Sequence, residues 1–234
     1  MTHPARLLVG PAALMLALSL AACGQDSADE GAAGSKDSPS ATPTSAPPAP
    51  TASSSQPTAT EPTSIPDYLD QEGIEQTLLT RDDTDGLTLD LPVPDGWSST
   101  DAFADAAPFG AIALDAAAEP ANPPRILAIL ARLDGDADPA KILAYAPSEL
   151  QSLPGFTPLS MGDPSTLSGF DAVQVGGTYT EDDQELVIAQ KTVAISSARG
   201  LYVLQLNAYA PSAEVDALIA AMAVIDEQTT ITAP

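Results

Sequence analysis

The chain has 234 residues and carries 32 Asp and Glu against 8 Lys and Arg, which gives a net charge of −24. This acidic excess excludes nucleic acid as a partner and opposes docking on anionic lipid headgroups, because both need a basic surface. The only cysteine, Cys23, and the only histidine, His3, lie close to the N-terminus. We therefore expect no disulfide, no metal site, no cofactor and no Ser-His-Asp or Cys-His catalysis, which leaves a carboxylate pair as the available catalytic chemistry.

The N-terminal segment predicts a lipoprotein signal peptide over residues 1–22. Arg6 precedes a mostly apolar run, Leu7–Leu20, and two alanines then lead directly to Cys23. This ending is similar to the lipobox of bacterial lipoproteins, whose cysteine thiol receives a diacylglycerol. A transmembrane helix is the alternative, but the run contains Pro11 and is shorter than the roughly 20 residues needed to span a bilayer. We predict that Cys23 anchors the protein to the cell membrane on its extracytoplasmic side.

The next segment, 23–66, predicts a disordered tether that begins at the lipidated cysteine. It consists mainly of Pro, Ser, Thr and Ala and has no aromatic residue, so it cannot bury a core. Residues 67–234 then have the length and apolar content of one domain. The sequence therefore predicts three parts, which are the signal peptide, the tether and a single α/β domain.

The first half of the domain mixes a short helix with strands. We predict a helical turn from Asp67 to Gly73, and then short strands over 77–80, 87–91, 109–114 and 125–133. Three aspartates lie within the segment 82–86. The further ligands of a calcium loop are missing, so we predict a solvated turn here. The only tryptophan, Trp97, follows a rigid Pro-rich turn and is expected in the core. The strand over 125–133 is apolar on both faces, so we expect both faces to be covered.

The second half begins with a helix and continues as an antiparallel meander. Asp138 is the predicted N-cap of this helix, and Pro147 is expected to break it. After an edge strand over 156–161, we predict three long strands over 172–180, 185–195 and 201–209, joined by short turns. A last helix is expected to begin with Ser212 as N-cap and to bury Ile219 against the sheet, in a stripe at spacings of three and four residues.

One candidate ligand site follows from the strand register. If loops of four and five residues join the meander, Lys191 faces Gln174 on one neighbouring strand and Gln205 on the other. The three polar side chains then form a row on a largely apolar sheet face, where they could orient the head of an amphipathic ligand. A solvated row at a helix edge is the alternative, and a slip of one residue would separate the partners.

Seven segments together resemble one family, the LpqN/LpqT lipoproteins of mycobacteria and related actinobacteria. The segments are Tyr68-Leu69 with Gly73-Ile74, Leu91–Trp97, Asp138–Leu143, Leu167–Ala172, Ile188–Thr192, Gly200–Asn207 and Val224–Ile231. The resemblance implies an α+β fold of the PsbP-like α/β/α sandwich type, in which helices flank both faces of an antiparallel sheet. It also implies a mycolate-type envelope and a connection with the export of trehalose-linked mycolates and with protein partners. It carries no catalytic residues over to this chain.

Three functions remain open from the sequence. The first is a non-catalytic binding or accessory protein, which holds an envelope glycolipid or docks on an export complex. The second is a protein-binding scaffold without a ligand. The third is an enzyme that uses carboxylates on envelope glycans. We expect the first function, because the chain has a predicted lipid anchor and its domain contains no histidine or cysteine for catalysis.

The anchor assignment predicts the behaviour of a Cys23→Ser variant. Without the thiol there is no site for the diacylglycerol, so the variant should be released as a soluble, folded domain. Fractionation of cells followed by a salt wash of the membranes measures this. Retention of Cys23→Ser in the washed membranes would refute the anchor.

Overall fold

The computed structural model describes residues 63–181 and 184–234, which form a mixed α+β domain. Ten strands are present in this part of the chain: β1 (Glu75–Leu79), β2 (Thr88–Asp90), β3 (Trp97–Ser99), β4 (Gly110–Leu114), β5 (Arg125–Asp134), β6 (Thr157–Leu167), β7 (Phe170–Glu181), β8 (Gln184–Ser197), β9 (Gly200–Pro211) and β10 (Thr230–Thr232). The helices are α1 (Ile65–Glu72), α2 (Pro139–Tyr145), α3 (Pro147–Gln151) and α4 (Val215–Gln228). The predicted signal peptide, Cys23 and nearly all of the predicted tether lie outside the described residues.

The main sheet is antiparallel and has the order β3-β4-β5-β9-β8-β7-β6, and β1 also pairs with β5. Strands β6 to β9 form the predicted meander. The turn between β6 and β7 has only two residues, Ser168 and Gly169, and both have a positive φ, which matches the twist of the flanking strands. The predicted α+β fold with a large antiparallel sheet is therefore confirmed.

Alternation along the strands divides the core into two sides. In β9, Leu204 and Leu206 pack with α4, whereas the side chain of Val203 points to the other side and packs with α1 and α2. The α4 side contains Leu218, Ala221 and Ile225 in one cluster with Leu130, Val193, Ile195, Tyr202, Leu204 and Leu206. The α1/α2 side contains Ile65, Tyr68, Leu69, Ile142 and Ala146 with Leu133, Val173, Ala194, Leu201 and Val203. The strands β5 and β9 thus bury side chains on both sides, as the sequence predicted for β5.

Local capping signals place the helix ends. Ser64 caps α1, since its Oγ accepts a hydrogen bond from the backbone N–H of Asp67, and Gly73 ends the helix in the left-handed region. The helix begins at Ile65, two residues before the predicted domain start, and Ile65 is itself buried in the core. The predictions for the next helix hold: Asp138 accepts from the N–H of Ala140, and Pro147 separates α2 from α3.

Three local features differ from the sequence prediction. Strands β3 and β10 were not predicted, because three-residue strands leave little periodicity to detect. The predicted N-cap Ser212 is wrong: Ser212 begins a short 3₁₀ turn, and α4 starts at Val215. Glu214 precedes α4 directly, and its carboxylate accepts a hydrogen bond from the backbone N–H of Ala118 in a distant loop.

The side of α4 that faces the sheet also differs from the prediction. Ile219 was expected in the core, but 61% of it is exposed, whereas Leu218, Ala221 and Ile225 are each 2% exposed. Apolar residues cover most of α4, so several stripes at helical spacing exist in the sequence. Only the packing against the sheet selects one of these stripes.

A polar clamp fixes the loop between β1 and β2. The Asp85 carboxylate accepts hydrogen bonds from Arg132 (2.6 Å) and from the Tyr202 hydroxyl (3.0 Å), and Asp85 has a positive φ of 52°. These donors hold the pKa of Asp85 below its ordinary value, Arg132 first and Tyr202 second. Because the folded-state pKa is lowered, this stabilisation is complete above the unfolded pKa and is lost as the pH falls through the folded one.

A matched pair of aspartate substitutions tests the packing of α4. Leu218→Asp places an unpaired charge in the core and should unfold the domain. Ile219→Asp puts the same charge in solvent and should change the free energy of unfolding by at most about 0.5 kcal/mol. Urea denaturation followed by circular dichroism measures both. Equal loss of stability in the two variants would contradict the observed face of the helix.

Candidate functional site

The strand register breaks up the polar row that the sequence predicted. Gln174 lies opposite Lys191, as expected, but the β8–β9 hairpin pairs Lys191 with Leu206 and places Gln205 opposite Thr192. The predicted row is therefore wrong, because Gln205 lies on the other face of the sheet. The cause is the turn: Ser197 still pairs with Gly200, so the loop has two residues instead of the assumed five, and the register moves by one.

Lys191 has a structural partner on the α4 side. Only 1% of the residue is exposed, and its Nζ donates to the Asp226 carboxylate of α4 at 2.6 Å. Apolar residues of the α4 cluster, among them Val193 and Leu206, are its neighbours along and across the strands. An ammonium that is enclosed and paired in this way connects α4 to the sheet, and it is not accessible to a ligand head.

The other face of the sheet carries a cluster of polar side chains that we call the amide cluster. It consists of Glu149, Gln190, Thr192, Gln205 and Asn207. The Glu149 carboxylate accepts hydrogen bonds from the side-chain amides of Gln190 (3.0 Å) and Gln205 (2.9 Å), and the Gln190 amide also donates to Asn207 (3.0 Å). Glu149 belongs to the short helix α3, which begins at Pro147 and packs against β6 and β7.

Two buried oxygens of the amide cluster have no hydrogen-bond partner. They are Oε1 of Gln190 and Oγ1 of Thr192, in residues that are 3% and 0% exposed. Buried polar atoms are nearly always hydrogen-bonded, and leaving one without a partner costs about 1–3 kcal/mol. The Gln190 oxygen can only accept a hydrogen bond, whereas the Thr192 hydroxyl can donate one as well as accept, so a hydroxyl group would suit both atoms.

An apolar cavity connects with the amide cluster, and we call the two together the sheet groove. The cavity has a volume of about 60 Å³ and includes Glu149 and Gln205 in its wall. Its other lining residues are Ile65, Pro66, Leu69, Gln76, Ile129, Ala131, Leu133 and Val203. Three of the lining residues, Pro66, Leu69 and Gln76, also line a wider cleft of about 480 Å³ beside α1 and β1. The groove is therefore apolar in its middle and open at the α1 side.

Aromatic side chains lie beyond the amide cluster on the same face. Arg125 sits over the rings of Tyr209 (4.8 Å) and Phe103 (5.4 Å), and Tyr209 contacts Tyr179 edge to face. Burial raises the pKa of Tyr209, and burial followed by the charge of Glu181 raises the pKa of Tyr179. Both hydroxyls therefore stay protonated at neutral pH, and the charges at this end of the face are the stacked Arg125 guanidinium and the Glu181 carboxylate, which accepts a hydrogen bond from Tyr179.

The cations of the described residues are engaged within the protein. Arg132 and Arg199 pair with Asp85, Lys141 pairs with Glu72 and lies over Tyr68, and the Arg81 guanidinium donates to the carbonyl of Phe109. Lys191 and Arg125 have the partners given above. Within residues 63–181 and 184–234 no group of three His, Cys, Asp or Glu side chains is arranged to hold a metal ion.

Sequence reasoning placed the polar site on the wrong face and missed Glu149, Gln190 and Asn207. A signal for two of them was present, since Gln190 and Asn207 are amides in the middle of long strands that are mostly apolar. Such residues in a buried strand indicate a polar network. No local signal points to Glu149, because its contact with Gln205 joins residues that are far apart in the chain.

The fold and the groove define a mixed α+β domain built on a large antiparallel sheet, with an apolar groove that ends in hydrogen-bonding side chains. Within this class the chain belongs to the family described as "Probable lipoprotein LpqN", whose profile matches residues 61–232. It is 46% identical over 169 residues to lipoprotein LpqN of Mycobacterium tuberculosis, covering 72% of this chain and 74% of that protein. The predicted family is confirmed.

A solved structure is also similar to this domain. It is the crystal structure of LpqN involved in cell envelope biogenesis of Mycobacterium tuberculosis, with a TM-score of 0.68 and 46% sequence identity. The match covers 72% of this chain and 97% of that one. In the described part of this chain, no helix has the length and apolar character needed to cross a membrane.

The contact between Lys191 and Asp226 predicts the effect of an Asp226→Asn substitution. The variant leaves the enclosed ammonium without a countercharge, so the free energy of unfolding should fall by about 2 kcal/mol, less than for a fully buried pair because Asp226 is partly exposed. Urea denaturation measures this change. The double variant Lys191→Met, Asp226→Leu removes both charges and should recover most of the loss. No recovery in the double variant would mean that the ion pair is not what connects α4 to the sheet.

Proposed function

We propose that the protein is a non-catalytic accessory lipoprotein of the cell envelope that binds an envelope glycolipid in the sheet groove. The observation that carries the proposal is a mainly apolar cavity whose wall includes Glu149 and Gln205, on the sheet face where Gln190 Oε1 and Thr192 Oγ1 are buried without partners. An amphipathic ligand has the same division, with a chain that is driven out of water and a head that needs hydrogen bonds.

The apolar middle of the groove suits an alkyl chain. Ile65, Leu69, Ala131 and Val203 offer only hydrocarbon surface to a ligand, and each methylene buried there contributes roughly 0.8 kcal/mol. The cavity of about 60 Å³ accepts a short length of chain. The neighbouring cleft of about 480 Å³ can take the remainder of the ligand along Pro66, Leu69 and Ile74, and its other lining residues are polar (Asp70, Glu75, Gln76 and Thr77). Together they fall in the size range of small-ligand sites, which is about 300–1,000 Å³.

The amide cluster suits an uncharged head that carries hydroxyl groups. Gln190 Oε1 lacks a donor, and the Thr192 hydroxyl can both donate and accept, so sugar hydroxyls suit both atoms. Because both residues are at most 3% exposed, the head would have to displace the covering side chains to reach them. An anionic head would meet the Glu149 carboxylate, and the described cations that could oppose this repulsion are already paired. This selection agrees with the expectation, from the family resemblance, of a trehalose-linked mycolate.

The predicted lipid anchor indicates where in the cell the protein would act. The family consists of probable lipoproteins, and the similar solved structure is of a protein involved in cell envelope biogenesis. A diacylglycerol on Cys23 would hold this acidic domain on the extracytoplasmic side of the membrane, where charge alone would repel it. Transport of envelope lipid, or support of an export complex, is the role that such a binding domain could perform there.

Catalysis on envelope glycans has less support from the groove. Glycoside hydrolysis uses two carboxyl groups on opposite sides of the bond that breaks. Glu149 is the single carboxylate of the amide cluster, and two amides already hold one of its oxygens. Its arrangement is that of a fixed hydrogen-bonding group, which agrees with a binding function.

Blocking the cavity should abolish lipid binding without unfolding the domain. Ile129 lines the cavity and is partly exposed, so Ile129→Trp fills the space while its ring can reach solvent. Native mass spectrometry of the purified domain, after incubation with an envelope lipid extract and separately with decyl maltoside, measures binding. We expect at least a tenfold loss of bound lipid and of bound decyl maltoside.

Leu159→Trp is the matched control, because Leu159 is 75% exposed on the edge strand β6 and is distant from the groove. It should bind as the unchanged protein does. Unaltered binding by a folded Ile129→Trp variant would refute the groove as the lipid site. If the unchanged protein retains no lipid from the extract and no decyl maltoside, the lipid-binding function itself is refuted, and a scaffold without a ligand is the better description.

A further inference from the structure

A second depression lies on the other side of the sheet, beside α4, and we call it the α4 cleft. It has a volume of about 370 Å³. One wall consists of Val93, Pro94 and Asp95 from the segment before β3, Trp97 at the start of β3 and Leu114 at the end of β4. The helix forms the other wall with Ala217, Ala220, Ala221, Val224 and Gln228. None of these residues belongs to the sheet groove.

The helix wall is made of small side chains. Ala217, Ala220, Ala221 and Val224 recur at spacings of three and four, so they lie along one side of α4. From Ala217 to Gln228 this side extends for about 16 Å, which is roughly three helical turns. Small side chains permit the backbone of a partner to approach closely. In the opposite wall, Trp97 and Leu114 offer apolar surface to a large side chain that enters the cleft.

The border of the α4 cleft is acidic. Asp95 lines it directly, and helical spacing places Asp216 and Glu227 along the outer border of α4 beside Ala220. No Lys or Arg occurs in α4, in β3 or β4, or in the segment 91–96. Lys191, which contacts the helix, is enclosed and paired with Asp226, and Arg81, which lines a pocket with Pro92 and Ile225, donates to the carbonyl of Phe109. An apolar depression with carboxylates around it therefore has a net negative potential that the protein does not neutralise.

We propose that the α4 cleft docks a basic amphipathic segment of a protein partner. The apolar side chains of the segment occupy the space above Trp97 and Leu114, and its Lys or Arg side chains reach the carboxylates of the border. This is the common arrangement in which an amphipathic helix lies in an apolar groove, with charge complementarity that sets orientation and association rate. The inference does not depend on lipid binding in the sheet groove.

The same charges argue against two other occupants. A second copy of this chain would bring its own acidic border against the first, and like charges across an interface oppose association. An anionic lipid would meet the same repulsion. A cationic segment removes the repulsion between the carboxylates when it binds, so its affinity should fall as the salt concentration rises.

The protein carries its own reporter for this site, because Trp97 is the only tryptophan in the chain. The probe is a synthetic 14-residue helical peptide with Leu on one face and Lys on the other, titrated into the domain while Trp97 emission is recorded. A peptide of the same design with Glu in place of Lys is the charge control. We expect a saturable change of emission with the Lys peptide and none with the Glu peptide.

Two matched pairs of variants make the test specific to the α4 cleft. Ala220→Arg fills the cleft and adds a positive charge, whereas Ala223→Arg adds the same charge at an exposed position of α4 that does not line the cleft. We expect Ala220→Arg to weaken binding of the Lys peptide at least tenfold more than Ala223→Arg does. Asp95→Asn should weaken binding about threefold at low salt, as expected for an exposed ion pair. Asp105→Asn, at an exposed position outside the cleft, should have no effect.

Any one of the following results would overturn the proposal. Equal weakening by Ala220→Arg and Ala223→Arg would mean that the peptide only adsorbs to the acidic surface. Binding of the Glu peptide, or a change of Trp97 emission with decyl maltoside alone, would assign the cleft to an apolar ligand. A concentration-dependent dimer in analytical ultracentrifugation that Ala220→Arg abolishes would assign it to a second copy of the chain. Circular dichroism melts of all variants establish that they are folded.

Discussion

The register of the β8–β9 hairpin is the constraint on which the rest of the structure depends. Ser197 pairs with Gly200, and from this pair outward every residue of the two long strands has a fixed partner and a fixed face. Side chains alternate between faces along a strand, so one residue of slip would exchange the faces of β8 relative to β9. The observed register sends Lys191 to the α4 side and brings Gln205 together with Gln190 on the other side.

The two faces that result differ in chemistry. On the α4 side one enclosed charge, Lys191, is matched by Asp226, and apolar packing surrounds the pair. On the opposite side the amide cluster buries two polar atoms without partners, which costs stability, and two other members of the cluster, Glu149 and Gln205, line a cavity. The proposed lipid site and the proposed peptide site are thus separated by the sheet, so a lipid and a partner could bind at the same time.

The distribution of charge has a common physical consequence for both sites. The described cations are held by carboxylates, rings and backbone carbonyls, and the large remainder of acidic side chains faces solvent. A surface of this kind keeps the domain away from anionic membranes and favours cationic partners. In the proposed lipid site the Glu149 carboxylate would likewise disfavour an anionic ligand head.

The sequence by itself determined the features that depend on neighbours in the chain. Capping by Asp138, the break at Pro147 and the succession of long strands follow from local hydrogen bonding, ring geometry and alternation. Only the tertiary structure decided the rest. Ile219 is exposed because the sheet selects among several apolar stripes of α4, and Gln205 changes face because a turn is shorter than assumed. Glu149 joins the amide cluster through contacts between distant segments, whose energies no local pattern of residues records.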